Sequence, residues 1–126
     1  MPILLKRAYE PFSAGDGFRI LVDRLWPRGI AKDTAHIDLW LKEIAPSTAL
    51  RQWFGHDPAR WQEFRRRYRE ELQHNPEAVA QIVAHLRPGT VTLVYGAKDE
   101  QHNQAVVLKE YLEALGKRPP ASLRGA

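Results

Sequence analysis

The amino-acid sequence predicts a single α/β domain over its 126 residues. We expect a small, largely parallel sheet of about three to four strands, flanked by helices in three layers. Two observations predict this fold class. Short apolar runs rich in β-branched residues lie near both ends of the chain, and amphipathic patterns of helical period fill the region between them. The expected order of elements is therefore β-β-α-α-α-α-β-α.

Three strands are expected. "ILLKRAY" (3–9) alternates in polarity roughly as a strand does, and "EPFSAGDG" (10–17) is a loop by its Pro, Gly and Asp content. "FRILVDRL" (18–25) has a doubly apolar centre, which fits a strand covered on both faces. "TVTLVYGA" (90–97) is the most apolar of the three and is expected at the centre of the sheet.

The first two of the four central helices are expected between the second strand and residue 54. "HIDLWLKEI" (36–44) places its apolar residues at the spacing of one helix face, namely Ile37, Trp40, Leu41 and Ile44. "PSTALRQWF" (46–54) is expected to be a short helix capped by Ser47, because a serine side chain accepts a hydrogen bond from an unpaired backbone N–H.

The remaining helices begin with clear signals. "HDPARWQEFRRRYREEL" (56–72) has Asp57 at the N-cap and Pro58 at the first helical position, and "NPEAVAQIVAHLRPG" (75–89) repeats this device with Asn75 and Pro76. After the last strand, Asp99 can cap a helix that turns Ala105, Leu108, Leu112 and Leu115 inward. The tail at 117–126 is Pro-rich and is expected to be irregular.

Composition narrows the class of function. The net charge of +4 suits an anionic partner, and the absence of cysteine excludes disulfides, cysteine-ligated zinc and a thiol nucleophile. No apolar run approaches the length of a membrane span, and the N-terminus does not have the pattern of a signal peptide. A bacterial cytoplasm is the expected location. The sequence leaves both the cofactor and the oligomeric state open.

Polar segments follow the second and the last strand. In a Rossmann-like sheet, ligands bind beyond the carboxyl ends of the strands. If these two strands are parallel neighbours, their polar residues face each other across one crevice: Asp23, Arg24 and Arg28 on one side, and Tyr95, Lys98, Asp99, His102 and Asn103 on the other. Guanidinium groups at 24 and 28 would bind an anion, His102 would act as acid or base, and Asp23 would orient one of them.

Structural interpretations compete with these roles. Asp99 can serve only as a helix cap, Asp23 and Arg24 can pair with each other, and Arg28 can pair with a structural carboxylate. No phosphate-binding loop and no Ser-His-Asp arrangement is present, and the five histidines have no metal-ligand spacing. No metal site is therefore expected.

Two other functions remain open. The basic helix at 58–73, with its run "RRRYRE", resembles a nucleic-acid-binding helix, but Glu63, Glu70 and Glu71 lie three or four residues from its arginines and favour a salt-bridged face. A protein-interaction module without catalysis would instead present aromatic residues on the surface, with Trp40, Trp53 and Phe54 as candidates.

Three blocks carry a family resemblance: "GFRILVDRLWPRGI", "LWLKEIAPSTALRQWFGHDPARWQEFRRRYREEL" and "VTLVYGAKDEQHNQAVVLKEYL". Over about residues 3–115 the chain resembles the YeaO-like proteins, a bacterial domain-of-unknown-function family. The resemblance implies a small cytoplasmic α/β protein without an established reaction. It places the family's hallmark residues at Arg7, Arg19, Asp23, Arg24, Trp26, Arg28, Pro46, Ser47, His56, Arg67, Tyr95, His102 and Asn103.

A wider related group carries a cysteine-histidine-arginine motif in the last loop, where this chain has "HNQ" and no cysteine. Thiol chemistry is therefore not expected. The leading hypothesis is a crevice that binds a small anion, such as a nucleotide or phosphorylated metabolite. Its acid-base residues are His102 and Asp23, and its expected ligand-binding residues are Arg24, Arg28, Arg7, Arg19, Tyr95, Lys98 and Asn103.

Overall fold

The computed structural model describes residues 2–86 and 89–117, and the side chain of Lys117 lies outside that description, as does the expected irregular tail beyond it. Four strands and four α-helices are present in the described chain. The strands are β1 (Ile3–Arg7), β2 (Phe18–Leu21), β3 (Leu39–Trp40) and β4 (Val91–Tyr95). The helices are α1 (Thr48–Phe54), α2 (Trp61–Gln73), α3 (Pro76–Val83) and α4 (Gln104–Lys117).

The sheet confirms the predicted fold class. Its order is β1-β4-β2-β3, and every neighbouring pair is parallel. β4 lies between β1 and β2, and all five of its residues are buried, as expected for the most apolar strand. Since β2 and β4 are parallel neighbours, the segments that follow them leave the sheet at the same edge.

The capping hydrogen bonds predicted for Ser47 and Asp57 are present. The Ser47 hydroxyl accepts a hydrogen bond from the Leu50 N–H at 3.1 Å, and Asp57 accepts one from the Ala59 N–H before α2. Asn75 precedes α3 but makes no capping bond with its side chain, which donates to the Glu43 carbonyl at 2.8 Å. Asn75 therefore occupies the predicted N-cap position without capping the helix through its side chain, and Pro76 begins the helix as expected.

One core joins the helices to one face of the sheet. Phe64, Tyr68 and Leu72 of α2, spaced four residues apart, are buried in it. They pack in the same cluster as Ile20 of β2 and Leu93 of β4, which are fully buried. The buried residues of α4 are those predicted to face inward, Ala105, Leu108 and Leu112, with Leu115 partly buried beside them.

The opposite face of the sheet is covered by the long connection between β2 and β3. Arg19 of β2 and Val94 of β4 face the same small void as Trp26 and Ile37 of that connection. This irregular segment provides the third layer of the fold.

The helix predicted over 36–44 is wrong. Leu39 and Trp40 form the edge strand β3, paired with Ile20 and Leu21, and Lys42–Ile44 forms one 3-10 turn. The edge of β2 offers backbone groups that need partners, and the Asp38 and Leu41 N–H groups bind the carbonyls of Arg19 and Leu21. Leu41 and Ile44 are still buried, because a short strand followed by a turn points both inward.

Candidate ligand-binding site

A pocket of about 290 Å³ lies beyond the carboxyl ends of β2 and β4. The segment after β2 contributes residues 23–27, and the segments around β4 and α4 contribute 96–97 and 103–104. The opposite wall comes from residues 45–46, α1 and the turn after it, together with Phe64 of α2. The crevice predicted from the two strand ends is therefore present in the described chain.

Asp23 is the first polar residue after β2, and both of its carboxylate oxygens are held. Oδ2 accepts a hydrogen bond from the Gly96 N–H at 2.8 Å, and Oδ1 accepts one from the Gln104 side-chain amide. These bonds join the segment after β2 to the segments around β4 and α4. A Cβ added at Gly96 would lie 3.0 Å from Oδ2, so glycine permits this close approach.

The pKa of Asp23 reflects its position in the pocket wall. Burial raises it above the usual value of 3.8, because burial penalises the charged form. The Gly96 and Gln104 hydrogen bonds oppose this rise. Positive charge on Arg51 and His56 also opposes it, so those two side chains lie close enough to act on the carboxylate.

Arg24 follows Asp23 and crosses to the other wall. Its Nη2 donates to the carbonyls of Ala45 and Pro46, each at 3.3 Å. Its Nε is buried and has no hydrogen-bond partner among the residues that the structure describes. The Nε of Arg65 on α2, which does not line the pocket, is buried in the same way.

Arg51 and His56 stand at the mouth of the pocket and are exposed. α1 carries Arg51, and its end at Gly55, with φ of 53°, allows the chain to turn toward the pocket. His56 also has a positive φ of 58°, in the left-handed region that non-glycine residues rarely adopt. The mouth of the pocket therefore presents an arginine from α1 and a histidine from the tight turn that follows it.

The segment before α4 is a compact turn built on Asp99. This carboxylate accepts hydrogen bonds from the N–H groups of Gln101 and His102 and from the His102 ring Nδ1 at 2.9 Å. The N–H of Gln101 and the His102 ring lower the pKa of Asp99. The predicted cap of α4 at Asp99 is wrong by four residues, since Asn103 precedes the helix and accepts from the Val106 N–H at 3.1 Å.

The structure separates the two proposed acid-base residues. Asp23 lines the pocket, whereas the His102 ring contacts Asp99 and meets the Trp61 ring edge-on at 5.1 Å between centroids. His102 is not among the residues that line the pocket, although its neighbours Asn103 and Gln104 are. His102 thus lies beside the site.

Two further predicted residues support the loop after β4. The Arg7 Nε donates to the Ala97 carbonyl at 2.8 Å, and its Nη2 lies 3.5 Å from the Gly96 carbonyl. Tyr95 is buried at the end of β4, and burial raises the pKa of its hydroxyl. Neither residue lines the pocket, so the structure places both behind the wall.

Three of the predicted cations do not reach the pocket. Arg19 is buried on β2, and its guanidinium binds the Asp16 carboxylate at 2.5 Å and the carbonyls of Ala35 and His36. Arg28 and Lys98 are exposed and are not among the lining residues. Of the seven expected ligand-binding residues, the pocket brings together Arg24 and Asn103.

The basic helix α2 uses much of its charge internally. Glu63 binds both Arg66 and Arg67, at 2.6 and 2.7 Å, and Arg65 binds Glu110 of α4 at 2.9 Å. The hydrogen bonds from Arg66 and Arg67 lower the pKa of Glu63 to about 2. The salt-bridged face weighed against nucleic-acid binding is thus the arrangement in the structure.

The three aromatic residues considered for an interaction surface are covered. Phe54 is buried against Phe64, with ring centroids 4.3 Å apart. The guanidinium of Arg67 lies 4.4 Å from the centroid of the Trp53 ring, and the Lys42 ammonium lies 4.4 Å from that of Trp40. These residues do not form an exposed apolar patch.

Within residues 2–86 and 89–117, no three His, Asp or Glu side chains come together as a metal site requires. None of the helices in that part of the chain combines the length and the apolar character needed to cross a bilayer.

Sequence reasoning missed Arg51, Phe54 and Gln104, which all line the pocket. The signals for Arg51 and Phe54 lie in "PSTALRQWF", which predicts only a short helix. Gln104 falls inside a helix expected to begin at Asp99, so nothing in the sequence marks it as a pocket residue. The pattern of the sequence places a residue on an element, but which helix closes a crevice depends on tertiary packing.

Comparisons with known proteins agree over nearly the whole chain. A family model described as the inactive DUF488-N3 subclade matches residues 2–122. The chain is 42% identical to the uncharacterized protein YeaO of Escherichia coli (strain K12) over 115 residues, covering 91% of this chain and 100% of that protein. It is 40% identical to the uncharacterized protein Rv3073c of Mycobacterium tuberculosis (strain ATCC 25618 / H37Rv) over 110 residues, covering 87% and 92%. No solved structure matches the chain.

Proposed function

This chain belongs to the YeaO-like family, in the subclade described as inactive DUF488-N3, and we propose that its pocket binds a small anionic ligand without transforming it. The location supports binding, since open α/β sheets take ligands beyond the carboxyl ends of their strands. The volume of about 290 Å³ is close to the lower limit of about 300 Å³ for small-molecule sites. The ligand is therefore small.

The presence of two arginines in the lining of one small pocket is the observation that carries the proposal. Arg24 and Arg51 both line it, and Arg51 is close enough for its charge to act on Asp23 in the same lining. Hydrogen bonds from a guanidinium to an anion are about twice as strong as those between neutral groups. Arg51 would therefore bind an anionic ligand in the pocket, with the positive charge of Arg24 beside it.

The rest of the lining supports binding rather than turnover. The described residues around the pocket include no serine, threonine, cysteine, lysine or tyrosine, so none supplies a hydroxyl, thiol or amine nucleophile. The acid-base groups in the lining are Asp23, whose two carboxylate oxygens are held by Gly96 and Gln104, and His56, while the predicted His102 contacts Asp99 beside the pocket. The description of the subclade as inactive is consistent with this interpretation.

A thermal-shift titration tests the proposal. Purified protein is titrated with inorganic phosphate, pyrophosphate, ribose 5-phosphate and nucleoside monophosphates, with a short oligonucleotide in parallel. A ligand at a hundred times its Kd adds about 2.7 kcal/mol to the free energy of unfolding, so the melting temperature should rise by several degrees. Arg51→Gln should reduce this rise, because it removes one of the two arginine charges in the lining of the pocket.

Arg28→Gln is the matched control. Arg28 is an exposed arginine predicted in the same site, but it does not line the pocket. The shift should survive in this variant. Equal losses in the two variants would show a nonspecific charge effect and contradict the proposal, as would the absence of any shift with the small anions.

A further inference from the structure

The pocket changes in polarity from its mouth to its interior. Arg51 and His56 are exposed at the mouth. One wall is apolar, since Phe54 and Phe64 line the pocket and stack on each other with ring centroids 4.3 Å apart. Asp23 stands at the strand end, where its carboxylate is tied to Gly96 and Gln104. A ligand that fits all three zones combines an anionic end, an apolar body and a hydrogen-bond donor.

Asp23 can still accept hydrogen bonds from a ligand. Each carboxylate oxygen has about two acceptor positions, and each is used once by the protein. The other amide in the wall is already committed, because Asn103 donates to the Asp99 carbonyl and accepts from the Val106 N–H. The carboxylate of Asp23 is the charged acceptor among the residues that line the pocket.

We propose that the ligand is a nucleoside monophosphate whose base packs on the apolar wall of Phe54 and Phe64 and donates N–H groups to Asp23, while its phosphate binds Arg51 and His56 at the mouth. This inference rests on the proposed anion-binding function and specifies its ligand class. A flat base has apolar faces and a polar edge, which matches a lining that combines two phenylalanines with a carboxylate. The phosphate stays at the open end, where it keeps part of its hydration.

The carboxylate also selects among the bases. Guanine presents two adjacent N–H donors, from its ring N1 and its 2-amino group, and a carboxylate accepts both. Adenine, cytosine and uracil place at least one acceptor at the corresponding edge, and that acceptor would face the carboxylate unfavourably. Guanosine 5′-monophosphate is therefore the expected preference.

The test measures dissociation constants by isothermal titration calorimetry for three probes: guanosine 5′-monophosphate, inosine 5′-monophosphate and ribose 5-phosphate. Inosine lacks only the 2-amino group of guanosine, so the native protein should bind it roughly tenfold more weakly. Ribose 5-phosphate lacks the base and should bind more weakly still. In Asp23→Asn, the preference for guanosine over inosine should disappear.

The variants distinguish a failure of the nucleotide inference from a failure of the proposed anion site. Arg51→Gln should weaken guanosine 5′-monophosphate but leave the affinity for unphosphorylated guanosine unchanged. If ribose 5-phosphate binds as tightly as the nucleotides and depends on Arg51, the anion site stands and the nucleotide inference is overturned. Equal binding of guanosine and inosine monophosphates to native protein and Asp23→Asn overturns it as well. If no phosphate compound binds, the proposed function itself fails.

Discussion

At the scale of single residues, Asp23 links two segments of the fold, but its burial disfavours the ionised carboxylate. It holds the segments after β2 and β4 together through Gly96 and Gln104, yet burial raises its pKa above 3.8. The folded state therefore retains the proton of Asp23 to a higher pH than the unfolded state does. As pH rises from 3.8 through the raised pKa, this residue lowers the free energy of unfolding.

Replacing Asp23 with asparagine should remove that penalty. The amide oxygen of the new side chain could still accept from the Gly96 N–H, and the Gln104 amide could turn so that its oxygen accepts from the new NH₂ group. We expect Asp23→Asn to be more stable than the native protein near pH 7, with the gain shrinking toward zero below pH 3.8. Urea unfolding at both pH values measures this difference.

Asp33→Asn is the matched control for charge, because Asp33 is exposed and its side chain makes no hydrogen bond in the described chain. It should show no such pH-dependent gain. A lower stability of Asp23→Asn near pH 7 would mean that the hydrogen bonds of the carboxylate outweigh the cost of its burial.

The same residue scale shows how far the sequence predicts the site. Asp23 and Arg24 could be placed in the pocket because charged residues directly after a strand must leave the core at the sheet edge. Asn103 could be placed there because it lies in the segment that follows the neighbouring strand β4. Arg19 could not be assigned correctly, since its partner Asp16 lies three residues away in a segment that the sequence shows only as a loop. Charge alone does not distinguish an arginine that binds a ligand from one that binds its own fold.

At the scale of elements, the segment 37–44 shows where periodicity is insufficient. Apolar residues at 37, 40, 41 and 44 fit a helix face, but a two-residue strand and a turn satisfy the same pattern. The choice depends on backbone groups of β2 that need partners, and those belong to a segment some 20 residues earlier. The long helices α2 and α4 were predictable because their apolar stripes continue over several turns.

The entry into β2 depends on Gly17. Its φ is 67°, and a Cβ at this position would lie 2.2 Å from the Thr90 carbonyl oxygen. That carbonyl accepts the hydrogen bond from the Phe18 N–H at 2.9 Å, which aligns β2 beside β4. Glycine is therefore required both for backbone conformation and for close approach.

Two alanine variants separate these requirements. Gly29 has a φ of 82° but open space around its missing Cβ. Gly29→Ala should therefore lower the free energy of unfolding by the backbone strain alone, about 1 to 2 kcal/mol. Gly17→Ala adds the contact with Thr90 and should lose about 2 kcal/mol more. Urea denaturation of both variants gives the difference. Equal losses would mean that β4 shifts away from Gly17 without a penalty.

At the scale of the whole molecule, a buried ionic network joins three strands. The Asp16 carboxylate binds Arg19 of β2 and, at 3.1 Å, Lys6 of β1. The Asp16 carbonyl accepts a hydrogen bond from the Thr92 hydroxyl of β4 at 2.6 Å. Arg19 also holds Ala35 and the segment before β3, so one cluster connects the sheet to the covering connection.

Asp16 gives the free energy of unfolding a pH dependence opposite in sign to that of Asp23. Burial raises the pKa of Asp16, but hydrogen bonds from Lys6, the Ser13 N–H and Arg19 outweigh it and the pKa lies below 3.8. The contribution of Asp16 to stability is complete above pH 3.8 and is lost as pH falls through the lowered value. Near pH 7, Asp16→Asn should therefore leave Arg19, only 2% exposed, without its counter-charge.

We expect Asp16→Asn to lose about 3 kcal/mol of unfolding free energy near pH 7, as happens when one partner of a buried ion pair is removed. The difference from native protein should shrink below pH 3.8, because acid then neutralises the native carboxylate as well. Urea unfolding at the two pH values measures it, with Asp33→Asn as the charge control. A loss that persists undiminished in acid would mean that packing around Asp16, rather than its charge, holds the three strands together.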